Sequence, residues 1–224
     1  MRKFAMIVAG GAGMRMRTDI PKQFLLLNDR PVLMHTIEVF RKYDPDIRIL
    51  VVLPAQQAET WKSLCRKYDF SPDHETGFGG ETRFHSVKNN LRSVPDGYLV
   101  AIHDGVRPLV SIETISRCFA RAEEAGNAIP CVTIPETLRR LEDAKSVQVD
   151  REKYRLIQTP QVFRSEILKK AYDQDYRNEF TDDAGVVESA GYMINLVEGN
   201  TENIKITWLK DLAIANALLN NQGL

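Results

Sequence analysis

The sequence has no apolar run approaching the roughly 20 residues that a bilayer-spanning helix needs, which excludes a helical membrane anchor as its organising feature. It has no excess charge of either sign: Lys plus Arg and Asp plus Glu number 30 each. A duplex nucleic-acid binder ordinarily carries a cationic field, so no nucleic-acid partner is expected. Any anion binding has to come from local placement of Arg and Lys. Cysteine is scarce. Cys65, Cys118 and Cys131 are scattered without C-x-x-C spacing, which argues against a disulfide framework or a zinc site and fits reduced thiols. Met1-Arg2-Lys3 runs directly into a strand-like segment with no signal-peptide pattern, so a cytoplasmic protein is the expectation.

What is present is a globular composition, 43% hydrophobic and 27% charged over 224 residues, enough for one domain with a real core. Short apolar runs at Lys3 to Ala9, Ile47 to Leu53 and Tyr98 to Ile102 read as buried strands. Between the first two, Leu33, Ile37 and Phe40 share one helical face. Pro31 suits the first turn of that helix, and Asp44-Pro45 ends it. Further helical stretches follow at about Ala55 to Tyr68 and Ser111 to Ala125. Strands this apolar, alternating with helices, predict an α/β fold: a doubly wound, mostly parallel sheet covered on both faces. The charged stretch from Glu136 to Lys153 breaks the rhythm. It reads either as a solvated surface hairpin or as a projecting arm that crosses to a second subunit.

Chemistry concentrates after the first strand, in Ala9-Gly10-Gly11-Ala12-Gly13-Met14-Arg15-Met16. Glycines let a backbone turn tightly and bring its N–H groups to an anion. A dinucleotide fingerprint would need a third glycine where Met16 stands, which disfavours a nicotinamide oxidoreductase, and no Gly-Lys-Ser/Thr triplet marks a P-loop. Arg15 lies in the loop instead, and Lys22 follows in Pro21-Lys22-Gln23-Phe24. Two cations beside a glycine loop suit a triphosphate, whose charge grows on the leaving oxygens during transfer; singly, each is most often a solvated charge.

Further along, Gly79-Gly80-Glu81-Thr82-Arg83-Phe84-His85-Ser86-Val87 is a glycine turn leading into a helix. Its free N–H groups and the Ser86 hydroxyl suit the polar edge of a base, although any capped helix start looks similar. His103-Asp104-Gly105-Val106-Arg107-Pro108 closes the third strand, at the end where open α/β sheets bind ligands. Asp104 there is either a ligand for Mg²⁺ or another divalent cation, or a plain loop acceptor. His85 reads as a surface side chain and His103 as structural.

The pattern G-G-x-G-x-R-M followed by P-K-Q-F resembles the sugar- and polyol-phosphate cytidylyltransferases, closest to the 2-C-methyl-D-erythritol 4-phosphate family. Matches continue in order through Gln158-Thr159-Pro160-Gln161-Val162-Phe163, Thr181-Asp182-Asp183-Ala184, Val197-Glu198-Gly199 and Asn203-Ile204-Lys205-Ile206-Thr207, covering nearly the whole chain. The resemblance implies an enzyme that transfers CMP from CTP to 2-C-methyl-D-erythritol 4-phosphate and releases pyrophosphate. Arg15 and Lys22 would stabilise the transition state. The nucleotide would be held by Ala9, Gly10, Gly11, Gly13, Gly80, Glu81, Ser86, Asp104 and Lys205, with the metal on Asp104. The acceptor would meet Arg107, Thr137, Arg151, Thr159 and Thr181, Arg151 reaching across a homodimer from the 136–153 arm.

This chain departs from the family pattern at Ala9-Gly10-Gly11, at Gly105-Val106 in place of two alanines, and at Glu136 for the usual Asp. The first departure also resembles the ribitol 5-phosphate enzymes, which leaves that acceptor as an alternative. Thr137-Leu138-Arg139-Arg140, Val149-Asp150-Arg151 and Thr181-Asp182-Asp183-Ala184 favour methylerythritol. A non-catalytic nucleotide-binding regulator is the contrasting reading. The joint presence of Arg15, Lys22 and Asp104 speaks against it.

Overall fold

The computed structural model describes residues 1–10, 20–143 and 145–221. Strand and helix alternate through the first half: β1 (Arg2–Val8), the two-residue strands β2 (Leu26–Leu27) and β3 (Arg30–Pro31), α1 (Val32–Tyr43), β4 (Arg48–Leu53), α2 (Ala58–Lys67), β5 (Glu75–Phe78), α3 (Arg83–Asn90), β6 (Tyr98–Asp104) and α4 (Ile112–Ala125). The second half adds β7 (Asn127–Val132), β8 (Arg139–Glu142), β9 (Lys145–Gln148), β10 (Leu156–Ile157), β11 (Gln161–Arg164), α5 (Ser165–Tyr172), α6 (Asp183–Ser189), β12 (Leu196–Glu198) and α7 (Leu209–Asn221).

One sheet organises the molecule, in the order β10-β7-β11-β6-β1-β4-β5, with β12 also paired to β7. The β6-β1-β4-β5 portion is parallel throughout, while β11 runs antiparallel to both β6 and β7. Alternate residues of the strands feed two cores. Ala5, Ile7, Ile49, Val51 and Ala101 pack with residues of α1, α2 and α4 on one face. Phe4, Met6, Leu50, Val52, Val100 and Ile102 pack with α3, α5 and α6 on the other. Burial on both faces is why these strands read as continuous apolar runs. The doubly wound, mostly parallel α/β architecture expected from the sequence is therefore what the chain adopts.

Local boundaries differ in two places. Pro31 caps α1 from outside rather than opening its first turn, because its backbone pairs with Leu26. The expected helix from Ala55 is a 3₁₀ turn, Ala55–Gln57, that passes into α2 at Ala58. Tightening of this kind is common at helix ends. Strands β8 and β9 pair only with each other, and every residue of both is exposed. The charged segment is thus a hairpin standing off the main sheet.

Candidate active site

The antiparallel register that sets Gln161 against Ile102 brings Thr159, two residues earlier, alongside Asp104 at the carboxyl end of β6. The backbone N–H of Asp104 donates to Thr159 Oγ1 at 3.1 Å. Asp104 itself is 7% exposed, and three cations converge on it. Lys205 Nζ lies 3.0 Å and Arg107 Nε 3.1 Å from Oδ2, and Arg83 Nε is 3.8 Å from Oδ1. Burial opposes ionisation of this carboxyl, but the charges of Arg83, Lys205 and Arg107 outweigh it and hold the group well below the usual carboxylate range.

Two concavities meet at this cluster. One, of about 210 Å³, is lined by Ala9, Gly10, Lys22, Gly80, Glu81, Arg83, Ser86, Asp104 and Lys205 among others. The other is lined by Arg83, Asp104, Arg107, Gln158, Thr159, Gln161, Thr181, Asp182 and Lys205. Arg83, Asp104 and Lys205 belong to both, so they form the wall between the two clefts. Most residues expected from the sequence to hold a nucleotide fall on the first cleft, and three expected to hold an acceptor fall on the second. Gly11, Gly13 and Arg15 lie outside the described residues.

Lys22 reaches the first cleft because its neighbours are tied down. It opens a 3₁₀ turn, Lys22–Phe24, whose other two residues are buried. Gln23 Nε2 donates to Ala9 O at 2.8 Å, fastening the turn to the end of β1, and Phe24 stacks on the buried Trp61.

The turn into α3 is built more tightly than the sequence suggests. Two of its N–H groups are already taken: Gly79 N donates to Leu53 O, and Gly80 N donates to Ser86 Oγ at 2.9 Å. Ser86 Oγ in turn donates to Thr82 O, and Thr82 caps the helix. A Cβ on Gly80 would sit 2.6 Å from His85 Cβ, so only glycine fits this close approach. Ser86 therefore shapes the cleft wall with its proton committed to Thr82 O, rather than standing as an uncommitted donor. His85 is half-buried, with Nδ1 2.9 Å from Thr82 Oγ1, and is not the plain surface side chain expected.

The departure at Gly105 has a steric counterpart. A Cβ there would meet Ala9 Cβ at 2.8 Å and Leu33 Cδ1 at 3.1 Å. This backbone thus approaches the end of β1 more closely than an alanine allows.

His103 has the structural role the sequence indicated. It is fully buried, and its Nε2 lies 3.1 Å from Arg107 O while Nδ1 lies 3.0 Å from Thr159 Oγ1. A carbonyl only accepts, so Nε2 carries the proton and Nδ1 accepts from the threonine hydroxyl. Burial pushes the imidazole pKa down from 6.5 to about 4, against the favourable bond to Arg107 O.

Thr137 and Arg151 line neither cleft. Both are exposed at the base of the hairpin, where Arg151 donates to Pro135 O and pairs with Glu152. Two charged groups at the site are given no role by the sequence motifs. Arg83 sits in the quoted glycine-turn motif, and Asp183 in Thr181-Asp182-Asp183-Ala184. Asp182 caps α6, whereas Asp183 is fully buried and grips Arg83 through two bonds of 2.8 and 2.7 Å. The repeated aspartate was the available signal, since a cap needs only one.

Known proteins resemble this chain over nearly its whole length. Residues 4–221 match the IspD family model, 2-C-methyl-D-erythritol 4-phosphate cytidylyltransferase. The protein of that name from Bacteroides thetaiotaomicron is 54% identical over 98% of this chain and 100% of its own length. Its counterpart from Porphyromonas gingivalis is 52% identical over 97% and 98%. Among solved structures, 4-diphosphocytidyl-2C-methyl-D-erythritol synthase from Anaerococcus prevotii superposes with a TM-score of 0.83 at 25% identity, covering 98% of this chain and 96% of the other. The Thermus thermophilus 2-C-methyl-D-erythritol 4-phosphate cytidylyltransferase gives 0.77 at 31% identity, covering 98% and 100%.

Proposed function

Because the chain belongs to the 2-C-methyl-D-erythritol 4-phosphate cytidylyltransferase family, we infer that it transfers CMP from CTP to 2-C-methyl-D-erythritol 4-phosphate, releasing pyrophosphate, in isoprenoid precursor synthesis. The observation that supports this best is the shared wall: one carboxylate ringed by Lys205, Arg107 and Arg83, with Lys22 in one of the two clefts that meet there. A nucleotide in the first cleft and a phosphate monoester in the second would bring donor and acceptor phosphates together at those cations.

The acceptor needs little chemical activation. A phosphate monoester has a second pKa of about 6 and is mostly dianionic at pH 7. Its oxygen attacks the α-phosphorus in line with the departing pyrophosphate, so catalysis reduces to positioning and charge neutralisation. Lys22, with Arg15, takes up charge on the leaving side. Lys205 and Arg107 turn from Asp104 toward donor and acceptor phosphates. His103, next to Asp104, is neutral and closed within its own hydrogen bonds, so it serves as no base.

A divalent cation fits this site in one way. No cluster of three or more His, Cys, Asp or Glu side chains occurs among the described residues, so no all-protein cage exists there. Mg²⁺ commonly takes one carboxylate, several waters and substrate phosphates. Asp104 is the carboxylate that would hold it, and the ion would offset triphosphate charge. The hairpin 139–148, with Thr137 and Arg151 at its base, suits an arm that completes the acceptor site of a second copy in a homodimer.

Pyrophosphate release measured across a matrix of triphosphates and polyol phosphates tests the reading. CTP with methylerythritol phosphate should give the highest kcat/KM. Preference for ribitol 5-phosphate, or no release with any pair, would overturn it.

A further inference from the structure

Asp104 is held by three cations that differ in one respect. Lys205 has a side chain 43% exposed and is anchored to little else, and Arg107 bonds otherwise to the backbone oxygen of Asn203. Arg83 alone is clamped from behind. Its two terminal nitrogens are spent on Asp183, whose carboxylate is wholly buried and also receives the Tyr172 hydroxyl at 2.7 Å. Tyr172 stacks on Phe84, the residue after Arg83, which further fixes the start of α3 against α5. If Lys205 turns toward a phosphate, Asp104 keeps its other cations; if Arg107 turns, the buried Asn203 carbonyl gives up a neutral hydrogen bond, but no buried charge is left without a counter-charge while Arg83 stays on Asp104. If Arg83 turned, a carboxylate with no access to water would lose its counter-charge.

We propose that Arg83 is a positioning residue: locked by Asp183 and Tyr172, it holds Asp104 in register at the wall between the clefts while Lys205 and Arg107 leave it for substrate phosphates. The proposal rests on the transfer reading above and adds a role that reading does not require. Asp183 and Tyr172 act one step further back. They keep the guanidinium planar fork in one orientation, which a lysine could not supply.

The test separates positioning from mere support of the fold. Arg83→Gln alone strands Asp183 and should lower the thermal midpoint. The pair Arg83→Gln with Asp183→Asn replaces the ions by amides and should recover most of that midpoint. In the folded pair, the affinity for CTP, read by calorimetry, should stay within a few-fold of wild type. The kcat should remain depressed by about 10- to 100-fold, the scale that small misplacements at a reacting centre produce. Placed on an Asp104→Asn background, the same pair should add little, because its effect runs through Asp104. Recovery of kcat along with stability, or a full multiplicative loss on Asp104→Asn, would overturn the proposal. Should the amide pair not fold, Arg83→Lys keeps the charge but not the fork. Reduced kcat at an intact midpoint supports the proposal, and unchanged kcat overturns it. Wild-type protein that releases no pyrophosphate from CTP and methylerythritol phosphate would instead refute the transfer reading itself.

Discussion

The hydroxyl of Thr159 joins Asp104 to His103: it accepts the Asp104 backbone N–H at 3.1 Å and, by the proton placement derived above, donates to His103 Nδ1 at 3.0 Å. His103 closes the circuit by donating to Arg107 O. The turn carrying Asp104 and Arg107 is therefore stapled, through Thr159 and His103, to the segment that leads into β11. Thr159→Val keeps the shape and removes the hydroxyl, leaving a buried N–H and a buried imidazole nitrogen unmatched. A loss of about 1–3 kcal/mol in urea unfolding is expected. Unchanged stability would mean that water replaces the hydroxyl at no cost.

His103 also makes stability depend on pH in a defined direction. Its folded pKa, about 4, lies below the ordinary 6.5, so the folded state favours the neutral ring. Below 6.5 the unfolded chain takes up the proton first. The resulting stabilisation is complete above about 6.5 and is lost as pH falls toward 4, on the order of 3 kcal/mol in all. His35 shifts the same way through burial but is present in wild type and variant alike. The comparison is the urea midpoint at pH 7 and pH 4.5 for wild type and His103→Gln. The variant should lose distinctly less on acidification; parallel losses would place the effect elsewhere.

Lys22 should matter to rate far more than to binding. A charge that stabilises the developing pyrophosphate contributes chiefly to kcat. Lys22→Ala should cost about 3–4 kcal/mol in the barrier, by analogy with a lost oxyanion donor. Steady-state kinetics alongside CTP calorimetry reads both quantities. Near-normal turnover would remove Lys22 from the mechanism.

Legibility of the molecule from its sequence followed the range of the interactions. Strands buried on both faces and the glycine and Pro-Lys-Gln motifs are local patterns that single out Lys22, Gly80, Ser86 and Asp104; the resemblance to the family added Lys205, and all five line one cleft. The grip of Asp183 on Arg83 joins residues 100 apart: the repeated aspartate hints at a second task, but nothing local names its partner. An aspartate ahead of a helix suits a cap, the role Asp182 takes, but that pattern does not show the next aspartate turning inward. Strands β11 and β12 do not stand out because they are short, and β7, as long as β4, is interrupted by Pro130. Pairing across the sheet, not propensity, makes them strands.

The hairpin gives a prediction about assembly. If Arg151 serves a partner's acceptor site, subunits carrying Arg151→Ala and subunits carrying Lys22→Ala should complement when mixed. One site of the mixed dimer then bears both lesions and the other bears neither. Activity should approach about a quarter of wild type when equal amounts exchange fully, half the molecules being mixed dimers with one intact site each, provided sites act independently. No recovery despite proven subunit exchange would contradict a crossing arm.

The most direct test of the central claim is phosphorus NMR of the products formed from CTP and 2-C-methyl-D-erythritol 4-phosphate with Mg²⁺. Attack on the α-phosphorus predicts a pair of coupled diphosphate resonances for a cytidine diphospho-polyol, with an equal amount of inorganic pyrophosphate and no CDP. Formation of CDP, which would place attack at the γ-phosphorus, or persistence of both substrates unchanged, would contradict the account.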